Sequence, residues 1–173
     1  MAAVSPAEMI RDTVNGLIAF VVPGPDVYSV AQGASSDTPG GIDANVTDLL
    51  IDTLDKSRPF PVAKLVAGVL NDVAKKVNPA AEGPFPSLFA RLSYAEKAKV
   101  FEIIEGLDAF KFVAGLLPIV VARAAYSEAG VYDVATRTLT GRPLGWDVTH
   151  YEGVADGRDE FIGYLDDRDH VEG

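Results

Sequence analysis

Two serine-led signatures punctuate this chain in the same way, and they limit what it can fold into more than any other feature. In Ser5-Pro6-Ala7-Glu8 the serine can cap a helix N-terminus. Proline takes the first helical position, where its missing N–H costs nothing, and glutamate can reach back to the capping residue's own N–H. Met9, Val14, Leu17, Ile18 and Val21 follow at helical spacing, so a helix is expected over about 6 to 21, stopped by Val22-Pro23-Gly24-Pro25. Ser93-Tyr94-Ala95-Glu96 repeats the signature ahead of Val100, Phe101, Ile104 and Leu107.

The intervening pattern is helical as well. Asp43 is placed to cap a helix carrying Val46, Leu49, Leu50 and Leu54, and Pro59 and Pro61 separate it from another, over about 61 to 77. A short segment from Ser87 to Arg91 follows the Gly83-Pro84-Phe85-Pro86 turn. The stretch from Asp108 to Tyr126 is apolar on most faces and reads as a buried central helix, with Pro118 expected to kink it. Nowhere do alternating β-branched runs meet two-residue glycine turns. The expectation is an all-α, irregular bundle of about five to seven helices in a single domain spanning 1–173. Residues 1–126 form its helical body and 127–173 an irregular, acidic end that includes one short helix from Asp156 to Arg168. Residues 23 to 41 form a long irregular connection, a kind of loop that tends to be functional.

Composition narrows the function. The chain carries 15 Lys and Arg against 25 Asp and Glu, a net charge of −10, which opposes binding to a phosphate backbone. The acidity is concentrated at the end: residues 147–173 hold nine acids against Arg158 and Arg168. This segment is read as a solvated tail or as a surface that docks on a basic patch. With no cysteine there is no thiolate metal site, disulfide or cysteine nucleophile. Phe112 to Ala122, bounded by Lys111 and Arg123, falls short of the roughly 20 residues a membrane helix needs. The N-terminus lacks a cationic, twin-arginine or apolar signal pattern, so a cytoplasmic location is expected.

No complete catalytic set emerges. Gly24-Pro25-Asp26 and Pro39-Gly40-Gly41 match neither the phosphate-loop nor the dinucleotide fingerprint, and two histidines without a Glu-x-x-His pattern cannot build a metal cage. Asp147 beside His150, with Tyr126, is the best general-base constellation available to a free-standing enzyme or ligand-binding protein using the Tyr126–Tyr151 segment. Tyr, Trp and Arg are the residue types that anchor interfaces, and Tyr28, Tyr126, Tyr132, Arg142, Trp146 and Tyr151 fall where no regular element requires them. A binding subunit therefore explains the chain more naturally than an enzyme.

The order of these motifs resembles the gluconate 2-dehydrogenase subunit 3 family, the small accessory subunits of flavin-dependent dehydrogenases of the glucose–methanol–choline type. The resemblance rests on Leu17-Ile18-Ala19-Phe20-Val21-Val22-Pro23-Gly24-Pro25-Asp26, on Pro39-Gly40-Gly41-Ile42-Asp43, on Leu92-Ser93-Tyr94-Ala95-Glu96-Lys97, and on the Tyr126 region with Leu144-Gly145-Trp146. It implies a non-catalytic small subunit that binds and stabilises, or helps mature, a large FAD-dependent oxidoreductase acting on an alcohol, sugar or sterol-like substrate. FAD would then sit in the partner and no cofactor in this chain. The chain departs from the family in lacking a twin-arginine signal and in its sequence after Tyr126.

Overall fold

The computed structural model describes residues 4–56 and 59–149, and the fold is all-α. Eight α-helices are present among the described residues: α1 (Pro6–Val21), α2 (Val27–Ala31), α3 (Val46–Asp55), α4 (Val62–Val77), α5 (Leu88–Arg91), α6 (Tyr94–Glu105), α7 (Lys111–Tyr126) and α8 (Leu144–Thr149). Both capping boxes form. Ser5 and Ser93 each accept a hydrogen bond from the backbone of the glutamate three residues on, and Glu8 and Glu96 each accept from the capping residue's N–H. In the second box that backbone hydrogen bond, above all, holds the Glu96 carboxyl below its ordinary pKa.

α1 lies at the centre, with α2, α3, α4, α5 and α7 packed around it and α6 against α4 and α7. Leu17, Ile18 and Ala19 are fully buried on α1. Leu17 and Ile18 join Val46 and Leu50 of α3, Leu70 of α4, Phe89 and Leu92 around α5, Val100 of α6 and Val121 of α7 in one continuous core.

The structure corrects the sequence reading in several places. Residues 23–41 are not wholly irregular: Asp26 accepts hydrogen bonds from the N–H groups of Tyr28 and Ser29 and nucleates α2. Asp43 caps no helix. Its carboxylate instead accepts from the Gly40 N–H at 2.7 Å, and α3 begins at Val46 behind Asn45, which has a left-handed backbone. α7 starts at Lys111 rather than Asp108 and runs through Pro118 as one element. After it come a 3-10 turn (Glu128–Gly130) and an antiparallel hairpin of β1 (Tyr132–Asp133) with β2 (Thr138–Leu139), so the segment beyond Ser127 has more regular structure than its sequence suggests. The expected helix from Asp156 to Arg168 lies outside the described residues.

The glycines of the Pro39-Gly40-Gly41 motif have a packing role. A Cβ on Gly40 would stand 2.5 Å from the Gly24 nitrogen and 2.7 Å from the Val22 carbonyl oxygen, and neither backbone can yield independently. Gly40→Ala is therefore expected to lower stability by about 3 kcal/mol, read as a fall in the denaturation midpoint with an unchanged slope.

Candidate functional site

Two features stand out, a largely buried polar network around α1 and an uncovered apolar face on the outer side of α7. The network starts at Asp12, buried on α1. Its carboxylate accepts from the Ser87 N–H at 2.7 Å and from the Tyr28 hydroxyl at 2.7 Å. The Asn15 amide donates to the Tyr28 oxygen at 3.1 Å and accepts from the Thr47 hydroxyl at 2.7 Å. On the other flank Asn71 of α4 accepts from the Ser87 hydroxyl and the Phe89 N–H, and donates to Thr13 and to the Ala67 carbonyl.

Lys97 lies deeper still, with 0% of its surface exposed. Its amine donates to the Gln32 side-chain carbonyl at 2.7 Å and to the Gly16 backbone carbonyl at 3.2 Å, and it stands over the Phe89 ring. Gln32 in turn donates to the Ala19 carbonyl, so one side chain ties α6 to α1 and to the end of α2. Burial pushes the Lys97 pKa down to about 7, against the pull of the Asp26 and Asp12 charges. Burial likewise pushes the Tyr28 phenol up to about 12, with Asn15 opposing and Asp12 adding to the rise.

A lowered lysine pKa is a signature of nucleophilic amines, but a nucleophile must reach its substrate. Lys97 is enclosed, and both of its acceptors belong to the chain itself. Among the described residues every buried polar side-chain atom has a hydrogen-bond partner. On one side the network borders a cleft of about 320 Å³, lined by Asp12 and Tyr28 with Arg11, Asn15 and Pro86. A larger, mainly apolar groove of about 460 Å³ runs between α1, α4 and α5. Three of its polar members are already engaged, Asn71 in the network and Lys75 with Asp72 at 3.0 Å. The network's hydrogen bonds tie α1 to α2, α3, α4 and α5.

The outer face of α7 is different in kind. Ala114, Leu117, Val121 and Ala125 point into the core. On the opposite side Phe112, Leu116, Ile119, Arg123 and Tyr126, at i, i+4, i+7, i+11 and i+14, form a stripe along the helix. Phe112 is 77% exposed and Ile119 63%, so no described element covers this stripe. The helix read as wholly buried is thus buried on one side only. The hairpin that follows presents two further apolar groups, Tyr132 and Val134.

The residues singled out from sequence do not converge. Tyr28 is pinned, its ring stacked on Phe85 at 4.2 Å and its hydroxyl held by Asp12. Tyr126 and Tyr132 are exposed near one another in the chain, at the end of α7 and on the hairpin. Arg142 pairs with Asp147 and lies over the Trp146 ring at 5.8 Å, so the three are bound to each other around α8. α8 seats on α7 through Gly145, where an added Cβ would meet the Tyr126 carbonyl oxygen at 2.1 Å. This places Asp147 and Tyr126 on contacting helices, while His150 and Tyr151 lie outside the described residues.

Sequence reasoning missed Phe112, Leu116 and Ile119 as surface groups, although a helix apolar on all sides in an 18.3 kDa chain already carries more apolar faces than one small core can cover. It also missed Lys97, whose signal was its position: three residues before Val100 and seven before Ile104, it falls on the buried face of α6. Among the described residues no helix is long and apolar enough to cross a membrane. Comparison with protein families, with curated proteins and with solved structures finds no match to this chain.

Proposed function

We propose that this chain is a non-catalytic, cytoplasmic small subunit that binds a larger protein through the outer face of α7, and that the partner is a FAD-dependent oxidoreductase acting on an alcohol, sugar or sterol-like substrate. One observation carries the docking part: the uncovered stripe of Phe112, Leu116 and Ile119, with the aromatic and basic groups Tyr126 and Arg123 beyond it. The internal satisfaction of the polar network supports a structural rather than catalytic role for the core. The choice of a flavoprotein rests on the motif resemblance. Binding only the folded, flavin-loaded partner would stabilise that state by RT ln(1 + [L]/Kd), roughly 2.7 kcal/mol at a hundred times Kd.

The test is capture of the full chain from its native host, with mass spectrometry and a visible spectrum of what accompanies it. A stoichiometric large subunit with flavin absorption is expected. Phe112→Asp with Ile119→Asp should abolish the complex while leaving the helical circular dichroism and melting of the free chain unchanged, because both side chains are exposed. A colourless, solitary chain, or a complex indifferent to these substitutions, would overturn the proposal.

A further inference from the structure

We propose that the groove between α1, α4 and α5 is a small-molecule site, and that its ligand is an apolar, chain-like molecule with one anionic head group, seated with that head at Lys64. The groove shares no lining residue with the outer face of α7, so the site stands or falls independently of the partner surface. At about 460 Å³ it falls within the roughly 300–1,000 Å³ of typical ligand sites, and Met9 and Ile10 of α1, Ala67 of α4 and Leu88 of α5 give it apolar walls.

Charge selects the head group. α4 carries Lys64, Lys75 and Lys76 against Asp72 alone, a local positive excess in a chain of net charge −10. Lys64, Gly68, Asn71 and Lys75 follow one another at helical spacing along the α4 wall of the groove. Lys75 is neutralised by Asp72, and Asn71 is hydrogen-bonded within the polar network. Lys64 has no acid three or four residues on, where Ala67 and Gly68 stand, and it makes no hydrogen bond or ion pair among the described residues. One uncompensated cation at one end of an apolar trough calls for one anion. The apolar body then runs along α4 towards the Asp72–Lys75 pair, roughly 16 Å away at about 1.5 Å per residue.

Gly68 keeps the trough open. A glycine inside a helix weakens it relative to alanine, and the packing of this fold supplies no compensating reason, because the residue is exposed and an added Cβ would meet no atom within 4 Å. The open space beside it is the groove itself, into which a longer side chain would project.

The test is calorimetric titration of the full chain with decanoate below its micelle concentration, with chemical-shift mapping of the bound form. One saturable site per chain is expected, with the shifts centred on Met9, Ile10 and Leu88. Lys64→Glu should weaken binding about tenfold, since an attraction worth up to about fivefold at an exposed pair becomes a repulsion. Gly68→Leu should weaken it at least as much by filling the trough, while Lys76→Gln, on the same helix but off the groove, should leave it unchanged. All three positions are exposed, so the helical circular dichroism should persist. Decanol, which has the same apolar body without the charge, should bind the unaltered chain about fivefold more weakly. No saturable binding, shifts centred on α7 or another element, decanol binding as tightly as decanoate, or an affinity indifferent to Lys64→Glu or to Gly68→Leu would overturn the inference.

Discussion

Asp12→Ala is expected to lower the stability of this chain by about 4 kcal/mol, a loss of roughly 10 °C in melting temperature for a protein of this size. The carboxylate is buried on α1 and accepts two hydrogen bonds of 2.7 Å, from the Ser87 N–H and from the Tyr28 hydroxyl. Removing it orphans the Ser87 N–H, a buried donor with no other partner there, and takes away the acceptor of the Tyr28 hydroxyl, which keeps only the hydrogen bond it accepts from Asn15. It also removes one of the two negative charges that favour the ammonium form of Lys97, so the cost of that buried cation grows. Asp12→Asn separates these effects. Its one remaining oxygen can satisfy Ser87 or Tyr28 but not both, and the expected loss is about half. Urea denaturation of the two variants with an unchanged slope checks the ordering. An alanine variant as stable as the asparagine one would show that the second hydrogen bond contributes nothing.

The network that makes Asp12 costly to remove is also where the sequence was least legible. Helices α1 and α6 could be read in advance because local chemistry alone specifies their starts: serine, glutamate and a helical apolar period act within four residues. α4 followed for the same reason, with its apolar positions at helical spacing between prolines and Asn78. Asp26 was different, since an N-cap for a helix of five residues carries no periodicity to distinguish it from a turn residue. Asp43 was misjudged because its carboxylate had a nearer donor, the Gly40 N–H, in a turn whose geometry depends on Gly24 approaching Gly40 across the chain. Asp12, Asn71 and Gln32 gain their meaning only from partners up to 75 residues away, and no spacing rule reports such pairs. The docking face was legible only in part. Tyr126 and Tyr132 were singled out by residue type and are exposed, whereas Phe112 and Ile119 were assigned to the core because an apolar residue in a helix is normally buried.

The second large effect is one of pH. Burial holds the Lys97 pKa near 7 in the folded protein, while the unfolded chain keeps the ordinary lysine value near 10.5. Below about pH 7 both states are protonated, and the native state bears the full cost of a buried ammonium. Between pH 7 and 10.5 the unfolded state binds the extra proton, so stability rises with pH, at up to about 1.4 kcal/mol per pH unit. The neutral amine loses little by the change, because its two N–H groups match the two acceptors present, the Gln32 side-chain carbonyl and the Gly16 backbone carbonyl. Tyr28 acts in the opposite sense. Its phenol keeps its proton to about pH 12 when folded but releases it near 10 when unfolded, so stability falls again above pH 10. The expected profile climbs by a few kcal/mol from pH 7 to a maximum near pH 10 and then declines. Lys97→Met should remove the climb and Tyr28→Phe the decline, each leaving the other limb in place. A wild-type curve that is flat between pH 7 and 10 would mean that the amine stays charged throughout, its desolvation offset by Asp12, Asp26 and the Phe89 ring.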